Sequence, residues 1–242
     1  MSPSSRTDTS GADFGAVLEM LDAERRSRRT VMSTSADRAA RQVREQVVEG
    51  RLRSGTRLPE QRLAAALGVS RNTLREALSM LVAERILVRE THRGVVVATP
   101  GRDDVRDVYA ARLVIEPAAL AHGEDATPER LAALRAAITE GRAAADRGDH
   151  DGVGNANQHF HRAVVALAGS ARLDAQMDLL LAEMRLFFHQ MPDADFHTAY
   201  LADNERICAL AEDGERTAAA ERLTAYLLRA RDQLLARWVT SG

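Results

Sequence analysis

Residues 57–78, RLPEQRLAAALGVSRNTLREAL, leave the chain few ways to fold. The spacing predicts a helix over 60–67, with Leu63, Ala64 and Leu67 on one apolar face. Gly68 ends it, because glycine enters the left-handed conformation of a helix C-terminus without steric cost. Val69 plugs the turn. Ser70 suits the N-cap of a second helix over 71–84, accepting a hydrogen bond from its first amides. That helix buries Leu74, Ala77, Leu78 and Leu81 at i, i+3, i+4, i+7 spacing. Its first turn presents Arg71, Asn72, Thr73 and Arg75. The pattern implies a helix-turn-helix whose second helix enters the major groove of double-stranded DNA.

Charge supports this reading. The formal net charge of −2 hides an asymmetry. Residues 34–100 carry 12 arginines against 7 acids, and residues 101–242 carry 16 against 23. A basic module joined to an acidic one suits a nucleic-acid-binding head on a regulatory body. All 33 basic residues are arginine, which reads as compositional bias, not mechanism. At 242 residues the chain is long enough for two domains, each with its own core. No apolar run approaches the roughly 20 residues of a membrane-spanning helix. The N-terminus lacks the apolar stretch of a signal peptide. The single cysteine, Cys208, excludes an intramolecular disulfide. Beside Ile207 and Leu210 it reads as a buried thiol in a reducing cytoplasm.

The chain divides into three parts. Residues 1–33 form a flexible extension containing a short amphipathic helix over 14–20. Arg25, Arg26, Arg28 and Arg29 follow it, either as extra phosphate contacts or as a solvated charged tail. Residues 34–99 form the head. Its first helix spans 35–48, with Ala39, Val43 and Val47 facing inward. Gly50 and Gly55 bracket a turn into Arg57. Strands at 86–88 and 95–97 make a hairpin, the wing of a winged helix. Its tip, His92-Arg93-Gly94, is placed to enter the minor groove. Pro100-Gly101 marks a boundary, and residues 102–240 read as helix throughout. The expected spans are 103–122, 128–147, 149–168, 171–190, 196–212 and 215–239, broken at Gly123, Gly148, Gly169, Pro192 and Gly214. Each carries an apolar stripe, such as Leu131, Leu134 and Ile138. The fold class is mainly α: a winged helix-turn-helix followed by an all-α antiparallel bundle, whose core is a common place for a small-ligand cavity.

The head resembles the GntR family of bacterial transcription regulators in Gly55-x-Arg57-Leu58-Pro59-Glu60, Leu63-Ala64, Leu67-Gly68-Val69-Ser70-Arg71, Leu74-Arg75-Glu76-Ala77-Leu78 and Gly94. The helical part resembles the FCD type of the FadR-like subfamily in Arg112-x-x-x-Glu116 with Ala118 and Ala119. Phe160-His161, Ala168-Gly169-Ser170, and Gly214 with Ala218 continue that likeness. The resemblance implies a dimeric, ligand-responsive DNA-binding regulator, a repressor reading an inverted repeat. It assigns Arg71, Asn72, Thr73 and Arg75 to major-groove and phosphate contacts, and His92, Arg93 and Gly94 to the minor groove. An arginine fork suits the two acceptors of guanine. Where the family often has a basic residue this chain has Gln61, with Arg62 adjacent and able to substitute; Arg57 completes the set.

The resemblance also implies, in many relatives, a divalent metal held by one Asp and three His. The matching positions here are Asn157, His161, Asn204 and Tyr226. Amide carbonyls and a neutral phenol are poor ligands for zinc or nickel. No metal cofactor is therefore expected, and a cation at His161 alone is the remaining metal reading. His159 points about 200° around the helix from His161. His122, His150, His189 and His197 sit near expected helix ends, where solvated roles are the default. The replaced positions still offer hydrogen bonds, and Arg112, with Arg185 as a weaker candidate, supplies positive charge. The expected effector is thus a small organic acid or other polar metabolite. Arg112 has a plainer reading as an i,i+4 salt bridge to Glu116. Two rivals stand: a DNA binder with a ligand-free helical domain, and a helical enzyme using His161 with a carboxylate. The second lacks a nucleophile motif, a second base and a phosphate loop.

Overall fold

In the computed structural model the described residues are 15–20, 35–123, 126–188, 190 and 196–238. They form two compact units, Met1–Thr99 and Pro100–Gly242. Arg25, Arg26, Arg28, Arg29, His189 and Pro192 lie outside the described residues. Helix α1 spans 15–20 and buries Val17.

The first unit is built around α2 (Ser35–Val48), α3 (Glu60–Leu67) and α4 (Arg71–Ala83). Ala39, Val43 and Val47 of α2 are sealed from solvent, and α2 packs on α4. Gly68 caps α3 at φ 66°, ψ 33°, its N–H reaching Ala64 O and Ala65 O. That left-handed geometry would strain any residue with a Cβ. Ser70 Oγ then accepts from Thr73 N at 3.1 Å and starts α4. Leu74, Ala77, Leu78 and Leu81 are fully buried, which fixes the roll of α4 and leaves its opposite face outward. An Arg44–Glu84 ion pair at 2.5 Å ties α2 to the end of α4.

Strands β1 (Leu87–Glu90) and β2 (Gly94–Val97) pair antiparallel, from Leu87 opposite Val97 to Glu90 opposite Gly94. Both run closer to the tip than the expected 86–88 and 95–97. The turn needs only Thr91, His92 and Arg93, because His92 at φ 67° and Gly94 at φ 79° both adopt left-handed backbone. The other edge of β2 is held by residues 55–58: Gly55 N donates to Val97 O and Leu58 N to Val95 O, each at 2.9 Å. The segment that leads into α3 is therefore stitched to the wing.

The second unit holds α5 (Arg102–Ala121), α6 (Pro128–Asp146), α7 (His150–Ala166), α8 (Ala171–Phe188), α9 (Leu201–Glu212) and α10 (Arg216–Trp238). Helix α6 packs along α7, and α5 along α10; α7 also meets α5, α8 and α9. This central place explains why α7 buries Val153, Ala156, Phe160 and Val164 together with polar Asn157, Gln158 and His161. Leu134 of the expected α6 stripe is fully buried, with Leu131 and Ile138 partly so. Helix α7 begins one residue later than expected, because Asp149 is its N-cap and accepts from Gly152 N at 2.9 Å. It ends two residues earlier, at Ala166, and α8 ends at Phe188 instead of 190. The span expected to be helical from 196 instead opens with a 3-10 turn, Thr198–Tyr200, before α9. Phe196 and Tyr200 are docked in the core there, which sets the path of the chain before regular helix can start. Among the described residues no helix is long and apolar enough to cross a membrane.

Candidate DNA interface and buried polar centre

The first unit presents one set of candidate residues outward. Arg71, Asn72 and Arg75 are exposed on α4, and Thr73 is half-buried. The Thr73 hydroxyl lies 2.8 Å from Ser70 Oγ, so it also belongs to the cap. Arg71 and Arg75 are four residues apart and share one face. Arg75 Nε donates to Glu60 Oε2 at 3.1 Å, linking the second turn of α4 to the start of α3. Such an exposed pair contributes at most about 1 kcal/mol and exchanges readily for a phosphate or base contact. Arg57, before α3, and Arg62, on α3, are exposed. On the wing, His92 and Arg93 are exposed, Gly94 opens β2, and Arg93 Nη1 donates to Glu90 Oε2 at 2.8 Å. Arg89 of β1, absent from the expected set, donates to Ser79 Oγ of α4 at 3.1 Å. Its β-strand position gave no local signal; only the packing of wing against α4 brings it there.

The second unit brings its expected residues together in the core. Asn157, His161, Asn204 and Tyr226 are each no more than 5% exposed, as are Arg112 and Arg185. Asn204 Nδ2 donates to Asn157 Oδ1 at 2.8 Å, and Tyr226 Oη lies 3.1 Å from the same oxygen. Tyr226 Oη is also 3.0 Å from His161 Nε2. His161 Nδ1 is 2.7 Å from Glu116 Oε2, and Arg112 Nε donates to Glu116 Oε1 at 2.5 Å. The i,i+4 salt bridge is thus present, and it is one link of a longer chain from α5 through α7 to α9 and α10. Arg112 also lies over the Tyr109 ring, 5.0 Å from its centroid. Arg185 stands apart from this chain; its Nη2 is 3.6 Å from Asp151 Oδ1.

Electrostatics fixes the protons. Burial pushes the Glu116 carboxyl up, but Arg112 and His161 beside it outweigh burial and hold it below the usual carboxylate range. Burial pushes His161 down; the opposing pull of Glu116 does not reverse this. A neutral His161 facing a carboxylate must donate from Nδ1 and leave Nε2 bare. Tyr226, whose pKa burial raises, keeps its single hydrogen and has two acceptors for it, His161 Nε2 and Asn157 Oδ1. Arg112 Nη2 and Asn204 Oδ1 are buried with no hydrogen-bond partner among the described residues.

Sequence reasoning underrated two residues. Glu116 is central because its second oxygen takes His161, not only because it neutralises Arg112. His197, expected to be solvated, is 7% exposed. It is clamped by Phe188, with ring centroids 4.3 Å apart, and by Phe196. The aromatic residues around position 197 were the available signal. Elsewhere in this unit His159 meets Glu140 at 2.8 Å, and His122 and His150 are exposed. Cys208 is buried in the core, and burial raises its thiol to about 11.

The metal-binding donor set fits poorly. Among the described residues no group of three or more His, Cys, Asp or Glu is placed to hold an ion. Both nitrogens of His161 are engaged, Nδ1 by Glu116, itself paired with Arg112, and Nε2 by the Tyr226 phenol, and the other two matching positions are amides.

Comparison with known proteins agrees with both halves. The model of bacterial regulatory proteins, gntR family, matches residues 35–97, and the FCD domain model matches 107–229. An HTH-type transcriptional regulator, BphR, of Paraburkholderia xenovorans is 32% identical over 72% of this chain and 75% of its own. The gluconate operon transcriptional repressor of Bacillus licheniformis is 39% identical over 33% of this chain and 32% of its own. The crystal structure of a putative GntR regulator from Rhodococcus sp. RHA1 superposes with a TM-score of 0.76 at 35% identity. It covers 84% of this chain and 99% of its own. Escherichia coli McbR/YncC shares the fold, with a TM-score of 0.74 at 21% identity over 86% and 100%. The enzyme reading of His161 is set aside on this ground. With its capped recognition helix, its wing and its helical second unit, the chain belongs to the GntR family and is a DNA-binding transcription regulator with an FCD domain.

Proposed function

We propose that the protein is a homodimeric repressor, released from an inverted-repeat operator by a small organic acid or similar polar metabolite bound without a metal. The carrying observation is the unmet hydrogen-bonding capacity of Arg112 Nη2 and Asn204 Oδ1 inside an otherwise bonded centre. A buried guanidinium N–H without an acceptor is costly, and a ligand carboxylate relieves that cost with a charge-assisted bond. Asn204 Oδ1 suits a ligand hydroxyl, and Asn157, His161 and Tyr226 line the same centre. In this reading Arg71 and Arg75 read bases, Asn72, Thr73, Arg57 and Arg62 hold phosphates, and His92, Arg93 and Gly94 follow the minor groove. The repressor sign is supported by two Bacillus relatives that are named gluconate operon repressors. A two-fold dimer suits a two-fold operator.

Thermal shift against a panel of organic acids, each with chelator, tests the effector. Saturable stabilisation by an acid, unchanged by chelator, is the expected result. A large saturable rise with zinc or nickel and none with acids overturns it. One observation favours a ligand-free helical domain instead: Glu116, His161, Tyr226 and Asn157 bond to one another. Stabilisation by neither acids nor metals selects that reading.

A further inference from the structure

The helical unit buries a second polar cluster, outside the Glu116 chain. Arg185 on α8 is 4% exposed and His197 is 7% exposed, and both lie against α7 at Gly154. A Cβ built at Gly154 would meet Arg185 Nη1 at 2.6 Å, His197 Cδ2 at 3.1 Å and His197 Nε2 at 3.5 Å. Glycine at 154 therefore makes the room in which a guanidinium edge and an imidazole edge lie side by side over the helix backbone. The Phe188 and Phe196 rings hold the imidazole in place. Among the described residues neither ring nitrogen of His197 has a hydrogen-bond partner. A neutral imidazole carries one N–H and one bare nitrogen, and burying both unmet is costly. Asp151, 3.6 Å from Arg185, is 78% exposed, so the cluster reaches the surface on that side. Burial first, and then the charge of Arg185 beside it, push His197 down to about 3. Gly154, Asn157 and His161 stand at i, i+3 and i+7 on α7, so the two clusters lie along one face of that helix, about two turns apart.

Resting on the effector reading above, we propose that Arg185 and His197, over the floor made by Gly154, form a second carboxylate subsite, and that the effector is a small dicarboxylate. One carboxylate accepts from Arg112 Nη2; the other accepts from the Arg185 guanidinium and a His197 N–H. A chain-matched monocarboxylate satisfies only the first.

The full chain is titrated calorimetrically, with chelator, against malonate, succinate, glutarate and adipate and against the monocarboxylates of matching length. At least one dicarboxylate binds about tenfold or more tightly than its matched monocarboxylate, the value of a single good polar contact. His197→Phe and Arg185→Gln each reduce that preference to about twofold or less and leave the monocarboxylate affinity unchanged. Gly154→Ala, which crowds the Arg185 and His197 side chains, does the same. Circular dichroism of each variant separates loss of the subsite from loss of the fold. Equal binding of both acid classes, or a preference that survives His197→Phe and Arg185→Gln, overturns the second subsite and leaves the Arg112 reading intact. Binding of neither class overturns both.

Discussion

Removing the Glu116 carboxylate isolates what holds the buried centre together. Glu116 is fully buried and accepts from Arg112 at 2.5 Å and faces His161 at 2.7 Å. Glu116→Leu leaves the Arg112 guanidinium, 1% exposed, without its counter-charge. Breaking one side of a buried pair in this way costs about 3–5 kcal/mol. For a chain of this size that corresponds to a melting temperature lower by roughly 6–20 °C. Replacing both partners, Arg112→Met with Glu116→Leu, removes the orphaned charge and recovers most of the loss, to within about 1–2 kcal/mol of wild type. The assay is urea and thermal unfolding of the full chain followed by circular dichroism, completed as a double-mutant cycle. A single variant costing less than about 1 kcal/mol, or a double variant worse than Glu116→Leu alone, would refute the buried pairing. Acid sensitivity follows with a definite sign. Because the folded carboxyl is depressed, its contribution is present above the unfolded value of about 4.3 and lost as pH falls through the folded one.

Other outcomes follow from the same structure. His197 is neutral when folded, with its pKa at about 3, while unfolded it binds a proton below about 6.5. Its contribution to stability therefore falls by about 2 kcal/mol between pH 7 and 5, beside a fall of the same sign from His161, and His197→Phe makes the slope shallower in denaturant titrations. Ser70→Ala removes the cap on Thr73 N and lowers stability by about 1 kcal/mol, with weaker DNA binding but unchanged sequence preference. Arg71→Ala leaves the oligomeric state unchanged by sedimentation and loses operator discrimination; a normal footprint from this variant removes the recognition-helix assignment. Glu60→Gln releases Arg75 from its pair and moves DNA affinity by less than about tenfold at low salt, measured by anisotropy.

The head was legible because its signals are local. Gly68, Ser70 and the Leu74–Leu78–Leu81 stripe act within one or two turns of chain, so periodicity and capping rules reach them. The wing was placed correctly but its strands run longer, because left-handed backbone at His92 was invisible in the letters. In the helical unit the helices were readable from their stripes. The convergence of Asn157 with Asn204 and Tyr226, 47 and 69 positions away, came only through the family resemblance. Glu116 looked like a local partner of Arg112, since nothing nearby in sequence points to His161, 45 positions on. His197 was misread because proximity to a helix end usually means solvent. Docking of Phe196 and Tyr200 into the core carries it inside instead.

DNA affinity measured against effector tests ligand-released repression most directly. Duplexes are selected from a random pool by the full chain, and the winner is titrated by anisotropy with and without the acid that stabilises the protein, in chelator throughout. The expected winner is an inverted repeat, and the acid weakens its binding by about 5–150-fold. Reciprocity requires the same factor when the acid is titrated against the DNA-bound protein. Selection of no repeat, or an operator affinity that the stabilising acid leaves unchanged, contradicts a ligand-released repressor.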